Sequence, residues 1–185
     1  VANETNRIFW FRNLGTRDIP VFGEMRQLEV EGFEETPEKR EKSRLRALGD
    51  SPYPFEAEEA FWGRQKAAVV DWNGDGLPDL VAVDGEGYFC LFERYRAPDG
   101  SLRLRKTLRF LYKDGTHVTH GSLPREVRGV DGIVVCDWRN RGVWDILVGT
   151  CYTVFYLENQ GDNAHPVFAP PVRLKLWGKE IRHSR

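Results

Sequence analysis

The sequence predicts an all-β fold built from β-propeller blades, each a four-stranded antiparallel meander, in an incomplete propeller with a short helical insertion. Three observations lead to this prediction: two internal repeats, short apolar runs bounded by Gly and Asp, and a change from apolar to amphipathic strands within each repeat. Repeats of this size and pattern are typical of radially arranged β-sheets.

The first repeat links the two ends of the chain. Residues 8–32 match residues 154–178 at a constant offset of 146 residues, without a gap. The matched pairs are Phe9 and Phe155, Asn13 and Asn159, Gly15 and Gly161, Pro20 and Pro166, Val21 and Val167, Phe22 and Phe168, Leu28 and Leu174, and Gly32 and Gly178. Because turn residues and apolar residues keep the same register, we expect one structural unit to occur twice.

The second repeat lies between these two segments. Residues 67–83 match residues 132–149, and the aligned pairs, 66 residues apart, are Asp71 and Asp137, Trp72 and Trp138, Gly76 and Gly142, and Asp79 and Asp145. One unit therefore contains an apolar strand, an acidic Gly-rich loop, a second apolar strand, a polar turn, an aromatic strand and an alternating strand. This order predicts a four-stranded meander.

The strands of one unit differ in character from first to last. Residues 66–70 and 79–83 are nearly continuous apolar runs and predict buried central strands. Residues 88–96 and 101–112 flank a Pro98-Asp99-Gly100 turn, and the later segment alternates apolar with basic side chains. This gradient favours a blade packed between neighbours and argues against a sandwich, in which every strand would alternate.

These patterns divide the chain into six segments. They are the outer half of one blade (1–32), a charged, partly helical insertion (33–64), a complete blade with an acidic loop (65–115), a rim connection (116–131), a second complete blade with a degenerate loop (132–178), and a connection to a missing blade (179–185). A propeller typically has four to eight blades. We therefore expect either a piece of a longer propeller of roughly seven or eight blades, or other chains that supply the missing ones.

The insertion at residues 33–64 lies outside both repeats. Thr36 as N-cap, Pro37 at the first helical position and Gly49 as the C-terminal stop predict a short charged helix. Its mixed charges favour a solvated surface element over a binding helix.

Charge and composition exclude several classes of protein. The 185 residues contain 27 Lys and Arg against 28 Asp and Glu, a net charge of -1, which argues against nucleic acid or an anionic membrane as partner. No run approaches the roughly 20 apolar residues of a membrane span. The chain starts without Met and without a signal-peptide pattern, so we expect the gene to begin upstream.

Three cysteines form no recognisable site. Cys90, Cys136 and Cys151 are odd in number and lack CxxC or CxxH spacing, so the sequence encodes neither a complete disulfide framework nor a zinc site. We expect them to lie in strands as small, buried apolar residues.

The acidic loop at residues 71–79 predicts a structural calcium site. Oxygen-bearing side chains stand at loop positions 1, 3, 5 and 9, and Gly76 allows the backbone to curl around an ion. The expected ligands are the side chains of Asp71, Asn73, Asp75 and Asp79 and the carbonyl of Leu77, with water completing the shell. The alternative is an acidic turn held by Asx hydrogen bonds without metal, in which three carboxylates would repel one another.

The equivalent loop at residues 137–145 keeps Asp137 and Asp145 but has Arg139 and Arg141 at positions 3 and 5. We expect it to bind no calcium. A guanidinium from Arg141, or alternatively Arg139, is expected to lie between the two acids as a covalently attached cation. Since a salt bridge replaces the ion here, calcium in the first loop is interpreted as a structural staple and not as a catalyst.

These motifs carry a family resemblance. The segment DWNGDGLPDL at residues 71–80, the following VAVDGEGYFCLFE, and the N-x-G-x-x-x-x-P-x-F turns at residues 13–22 and 159–168 resemble the FG-GAP repeat, also called VCBS, of integrin-type β-propellers. The resemblance implies a secreted, cell-surface or periplasmic bacterial protein that contains calcium. It covers adhesion proteins and polysaccharide lyases alike, so it specifies the fold more strongly than the function.

The rim connection contains the candidate catalytic residues. If the chain resembles the propeller lyases, a His or Tyr would abstract the proton α to a uronate carboxyl, and an Arg would neutralise that carboxyl. The candidates here are His117, His120, Arg125 and Arg128. Ordinary solvated histidines are the favoured interpretation, and an HxxH pair without a third ligand is a poor zinc site. Two functions stay open: binding or β-elimination of an acidic polysaccharide, and non-catalytic adhesion or protein interaction.

The aromatic residues favour packing over sugar binding. Trp72 and Trp138 share one repeat position, and Phe9, Phe89 and Phe155 share another, which predicts packing between blades. Any sugar-stacking residue would come from the tryptophans that do not recur, namely Trp10, Trp62, Trp144 and Trp177.

Overall fold

The computed structural model describes residues 8–28, 30–31, 67–84, 87–124, 130–150 and 153–181. The predicted helix at residues 36–49 lies outside these ranges. So do Trp62, Arg125, Arg128 and Cys151.

The described part of the chain is dominated by β-strands. The strands are β1 (Phe9–Asn13), β2 (Phe22–Gln27), β3 (Ala67–Val70), β4 (Asp79–Val83), β5 (Phe89–Arg96), β6 (Leu102–Arg109), β7 (Leu111–Tyr112), β8 (Val130–Cys136), β9 (Asp145–Thr150), β10 (Val154–Leu157), β11 (Val167–Phe168), β12 (Val172–Arg173), β13 (Lys175–Leu176) and β14 (Lys179–Glu180). One 3-10 turn spans His120–Ser122. None of the described helical turns is long and apolar enough to cross a membrane.

Two four-stranded antiparallel meanders form the centre of the molecule. The first sheet has the order β3-β4-β5-β6, and the second sheet has the order β8-β9-β10-β12. Strands β1 and β2 form a separate hairpin, β13 and β14 form another, and β7 pairs in parallel with β11. The prediction of an all-β fold with meanders is therefore confirmed, and no sheet closes on itself within the described residues.

The first repeat is visible in the strand register. Phe9 pairs with Gln27 in the β1–β2 hairpin, and 146 residues later Phe155 pairs with Arg173 between β10 and β12. The hairpin therefore corresponds in register to β10 and β12, the third and fourth strands of the second meander.

The two N-x-G turns, residues 13–22 and 159–168, are built by the same hydrogen bonds. Asn13 Oδ1 accepts the N–H groups of Gly15 and Val21, each at 3.0 Å. The corresponding acceptor, Asn159 Oδ1, takes the N–H groups of Gly161 and Val167 at the same distances. A Cβ at either glycine would clash with the backbone carbonyl four residues later, so only glycine fits.

The second repeat holds its offset of 66 residues in the first two strands and then changes. Val70 pairs with Asp79 as Cys136 pairs with Asp145. On the third strand, Cys90 pairs with Ala82, whereas Phe155 pairs with Val148. The offset has therefore fallen to 65, because the preceding turn is one residue shorter in the second sheet. The predicted equivalence of Phe89 and Phe155 is wrong, and Cys90 occupies the position of Phe155.

The core lies between the two sheets. The first sheet contributes Trp72, Val81, Val83, Phe89 and Leu91, and the second sheet contributes Ile133, Ile146, Val148, Phe155 and Leu157. Phe110 joins them, with its ring 5.3 Å from Trp72 and 5.0 Å from Phe168. Packing between sheets is therefore confirmed for Trp72, Phe89 and Phe155.

The sheets use opposite faces of the repeat for this contact. Val81 faces the core in β4, but its repeat equivalent in β9, Leu147, does not belong to the core, and Ile146 and Val148 do. Strand β3 also lies beside β8. The sheets are thus stacked head to tail: the Val81 face of the first sheet contacts the Ile146 and Val148 face of the second sheet. The other face of each sheet has a different composition.

Two predictions about burial need correction. Strand β4 is buried throughout, but Val69 in β3 is 69% exposed because it faces away from the core, against which Ala68 and Val70 pack. Trp138 does not repeat the burial of Trp72: it is 52% exposed, since no described sheet lies on its side of the second sheet. Strand β6 is half exposed as predicted, Cys90 is buried in β5, and Cys136 is half-buried in β8.

Candidate metal centre

The acidic loop, residues 71–79, connects β3 to β4 and folds around the carboxylate of Asp71. Its Oδ1 accepts the Gly74 N–H at 2.8 Å, and its Oδ2 accepts the Gly76 N–H at 2.9 Å. Both glycines have positive φ angles, +77° and +83°, which place successive N–H groups toward the carboxylate.

The middle of the acidic loop is shaped by Asx turns. Asn73 Oδ1 accepts the Asp75 N–H at 3.0 Å, and Asp75 Oδ1 accepts the Leu77 N–H at 2.8 Å. The Asn73 side-chain amide also donates to Asp75 Oδ2 at 3.2 Å. These are the hydrogen bonds that the metal-free alternative expects.

Asp79 closes the acidic loop and is fully buried as the first residue of β4. Its Oδ2 accepts the Trp72 N–H at 2.9 Å, and its Oδ1 accepts the Arg94 N–H at 2.8 Å. Burial raises the pKa of Asp79, and the nearby charges of Asp75 and Asp71 raise it further, while the two backbone hydrogen bonds act in the opposite direction. Three negative charges therefore converge on this loop.

The chemistry of these ligands fits a hard cation. Each carboxylate oxygen of Asp71 and Asp79 accepts one N–H, and a carboxylate oxygen has a second lone pair for a metal. Oxygen-only ligands with excess negative charge are those that calcium prefers. As placed, the described residues contain no ready-made cluster of three or more His, Cys, Asp or Glu side chains around one point.

The degenerate copy, residues 137–145 and named the arginine loop, also folds around the carboxylate of its first acid. Asp137 accepts the N–H groups of Arg141 and Gly142, at 2.7 and 2.6 Å. Asn140 and Gly142 have positive φ angles, as Gly74 and Gly76 do in the acidic loop. The two backbone hydrogen bonds, assisted by the charge of Arg141, lower the pKa of Asp137.

Arg141 brings a positive charge to the closing acid of the arginine loop. Its Nη2 lies 3.3 Å from Asp145 Oδ1 and donates to the Asn159 carbonyl at 3.0 Å. The predicted guanidinium contact is therefore confirmed for Asp145. It is wrong for Asp137, which binds the backbone of Arg141, and Arg139 instead pairs with Glu158 at 2.8 Å.

Tyr156 is a site residue that the sequence does not reveal. Its hydroxyl donates to Asp145 Oδ2 at 3.0 Å, where the acidic loop uses the Trp72 N–H instead. Burial, and then the hydrogen bond to Asp145, raise the pKa of Tyr156 to about 12. The corresponding residue in the first sheet is Leu91, so the repeat carries no signal for this contact.

The acidic loop meets the second sheet at a junction of two tryptophans and Asn163. The Trp144 indole donates to the Trp72 carbonyl at 3.2 Å, and the Trp144 N–H donates to Asn163 Oδ1 at 2.8 Å. A cavity of about 510 Å³ opens beside them, lined by Asp71, Trp72, Asn73, Gly74, Leu91, Glu93, Leu108, Trp144, Asn163 and Ala164. Trp144 is thus held in place by hydrogen bonds to Trp72 and Asn163. Trp10 and Trp177, by contrast, are exposed at 40% and 92%.

The candidate catalytic histidines lie at the opposite end of the first sheet. His117 is exposed, with its ring 5.0 Å from that of Tyr88, and the Arg109 guanidinium lies 4.0 Å from the same Tyr88 ring. His120 is half-buried in the 3-10 turn, and burial lowers its pKa. Sequence spacing does not reveal the cluster of Tyr88, Arg109 and His117, called the Tyr88 cluster below, because its members come from three separate segments.

Comparison with known proteins adds no relative: no protein-family model, no curated protein and no solved structure matches this chain.

Proposed function

We propose that this chain is a calcium-stabilised segment of an FG-GAP/VCBS-type β-propeller, from a secreted or cell-surface protein, that binds an acidic polysaccharide. The propeller is supported by two consecutive meanders stacked head to tail, with their first strands side by side. The β1–β2 hairpin, with the register of a third and fourth strand, supports a further blade before them.

Calcium in the acidic loop is supported by the comparison of the two loops. They share positive φ angles at their fourth and sixth positions, and in the arginine loop a cationic side chain reaches the closing acid. The acidic loop has no Arg at these positions, and the charges of Asp71 and Asp75 act on the buried Asp79. Asp71, Asn73, Asp75 and Asp79 would hold the ion through side chains and Leu77 through its carbonyl, and the ion would supply the missing positive charge.

The Tyr88 cluster supports binding of an acidic sugar. It combines an aromatic ring, a guanidinium stacked on it at 4.0 Å and an exposed imidazole at the edge of the ring. Aromatic faces bind the apolar face of a sugar ring, and a guanidinium binds a carboxylate with charge-assisted hydrogen bonds. Arg109 also contacts Asp84 at 3.1 Å, which fixes its position. This cluster is the observation that carries the polysaccharide proposal.

The residues of the Tyr88 cluster would also serve in cleavage of the bound sugar. β-Elimination needs a base at the proton α to the carboxyl and a cation on the carboxylate. Tyr88 or His117 would serve as the base and Arg109 as the cation. His120, whose pKa is lowered by burial, would be an alternative base beside them.

The test is incubation of the full chain with a panel of uronate-containing glycans. Binding is measured by titration calorimetry, and cleavage by the ultraviolet absorbance of unsaturated products. Arg109→Ala should abolish binding. Arg103→Ala should not, because it removes a half-exposed Arg of the same strand that pairs with Asp99 in the preceding turn. Equal binding by wild type and Arg109→Ala, or binding of no acidic glycan, would refute the polysaccharide proposal.

The second candidate function is a non-catalytic adhesion or protein-interaction propeller. Exposed apolar residues on the outer face of the second sheet favour it, among them Val134, Trp138 and Val172. An apolar patch on a soluble domain commonly marks an interaction surface.

A further inference from the structure

The second sheet has an exposed apolar face. The equivalent face of the first sheet is buried. Val134, Trp138 and Val172 are exposed at 53%, 52% and 60%. From the strand registers, their equivalents in the first sheet are Ala68, Trp72 and Leu108. Trp72 belongs to the core between the two sheets and is only 2% exposed, and Ala68 and Leu108 pack against that core. The second sheet thus presents, uncovered, one half of an interface that already exists in this molecule.

The β1–β2 hairpin presents the other half of the same interface. Its Phe11 and Phe22 are exposed at 39% and 66%. Their equivalents at the offset of 146 residues, Leu157 and Phe168, are fully buried in the core against the first sheet. The hairpin also repeats the turn that contains Asn163, with Arg17 at the position of Asn163.

The two halves cannot meet within one copy. The segment after the hairpin is anchored to the first sheet, where the Glu31 N–H donates to the Leu104 carbonyl at 2.8 Å and Tyr95 Oη donates to Glu31 at 2.7 Å. The uncovered face lies on the far side of the second sheet from this anchor. The core and the second sheet itself stand between them.

We propose that the outer face of the second sheet binds the β1–β2 hairpin of a second copy of this chain and so reproduces the contact between the first and second sheets. In this contact the Trp138 indole donates to the Arg17 carbonyl, as the Trp72 indole donates to the Asn163 carbonyl. The contact is heterologous, so copies associate head to tail into a ring or a filament. The inference rests on the head-to-tail propeller of the proposed function, and it is independent of calcium and of polysaccharide.

The experiment uses charge substitutions on the two halves separately. In sedimentation velocity, the full chain should associate with increasing concentration. Trp138→Glu and Phe22→Glu should each weaken association by about 30-fold or more, because each buries a charge at the contact. Leu102→Glu is the matched control: Leu102 is 47% exposed on the first sheet and belongs to neither half.

Mixing the two variants gives a sharper result. Trp138→Glu retains an intact hairpin and Phe22→Glu retains an intact face, so an equimolar mixture should form a dimer that cannot grow further. Circular dichroism establishes that each variant is folded, and Val172→Lys replaces Trp138→Glu if that variant is not. A wild-type chain that stays monomeric at its highest soluble concentration would overturn the proposal, and so would a mixture that remains monomeric.

This outcome is separable from that of the proposed function. Calcium and glycan titrations are carried out on the monomeric Trp138→Glu variant, in which the acidic loop and the Tyr88 cluster are unchanged. Failure to associate with intact calcium binding would refute the second-copy contact alone. The face would then be assigned to a further repeat of the propeller.

Discussion

The indole N–H of Trp72 donates to the backbone carbonyl of Asn163 at 2.7 Å, and this bond ties the acidic loop of the first sheet to the N-x-G turn of the second. The Trp144 indole returns a bond to the Trp72 carbonyl at 3.2 Å. The stiffness of the acidic loop and the stability of the contact between the sheets are therefore coupled.

Replacing Trp72 by Phe should destabilise the fold by about 2 kcal/mol, since it removes the bond to Asn163 and part of a buried ring. Trp138→Phe, at the equivalent but 52% exposed position, should change the free energy of unfolding by less than about 0.5 kcal/mol. Urea unfolding of dilute protein measures both. Equal effects would contradict the asymmetry of the two tryptophans.

Gly161→Ala should destabilise the second sheet by about 2 to 3 kcal/mol, because the new Cβ meets the His165 carbonyl inside the N-x-G turn. Gly132→Ala is the control, since a Cβ at Gly132 has no atom within 4 Å. Thermal unfolding compares the two variants. Equal thermal stability of Gly161→Ala and Gly132→Ala would contradict the steric clash at Gly161.

Asp84 should make stability depend on pH in the acid range. Burial alone would raise its pKa, but the hydrogen bond from the Tyr88 N–H and the charges of Lys106 and Arg109 outweigh this and hold the pKa below its usual value of 3.8. The stabilisation is therefore complete above pH 3.8 and is lost as the pH falls through the lower, folded-state value.

Asp84→Asn should accordingly cost about 3 kcal/mol near neutral pH, because it leaves two cations without their buried partner. The difference from wild type should shrink as the pH falls below 3.8. Asp18→Asn, at an exposed position in the first N-x-G turn, is the control for the removal of one carboxylate charge. Urea unfolding across this range gives the result, and a difference that is constant with pH would disprove the assignment.

The strand order and the half unit at the N-terminus are predictable from the sequence because local patterns occur twice. Apolar runs, acidic loops and N-x-G turns each carry their own signal, and the offset fixes the strand pairing. The change of offset from 66 to 65 is not predictable in this way. It depends on one residue in a polar turn. A sequence alignment matches the aromatic Phe89 with Phe155, whereas the strand register matches Cys90 with Phe155.

Contacts between distant segments also cannot be predicted from the sequence pattern. Arg141 was predictable as a cation in its loop, since it replaces an acidic residue at a known position. Its guanidinium contacts Asp145 and the Asn159 carbonyl, and Asp137 accepts the Arg141 backbone N–H instead. The exposure of Val69 and Trp138 depends on which neighbours are present, and no local pattern encodes that.

The proposed function requires a cation in each loop, calcium in the acidic loop and Arg141 in the arginine loop. Changing Arg139 to Asn and Arg141 to Asp would give the arginine loop the ligand pattern of the acidic loop, with Asp137 and Asp145 retained. This double variant should be less stable than wild type without calcium, because Asp145 loses its guanidinium partner.

Calorimetric titration with calcium separates the two loops. We expect one bound ion for wild type, none for the paired variant Asp71→Asn with Asp75→Asn, and two for the Arg139→Asn and Arg141→Asp double variant. Asp137→Asn, in the arginine loop of wild type, should leave the single site unchanged. If the folded wild-type chain binds no calcium at millimolar concentration, the proposal of a calcium-stabilised loop is wrong.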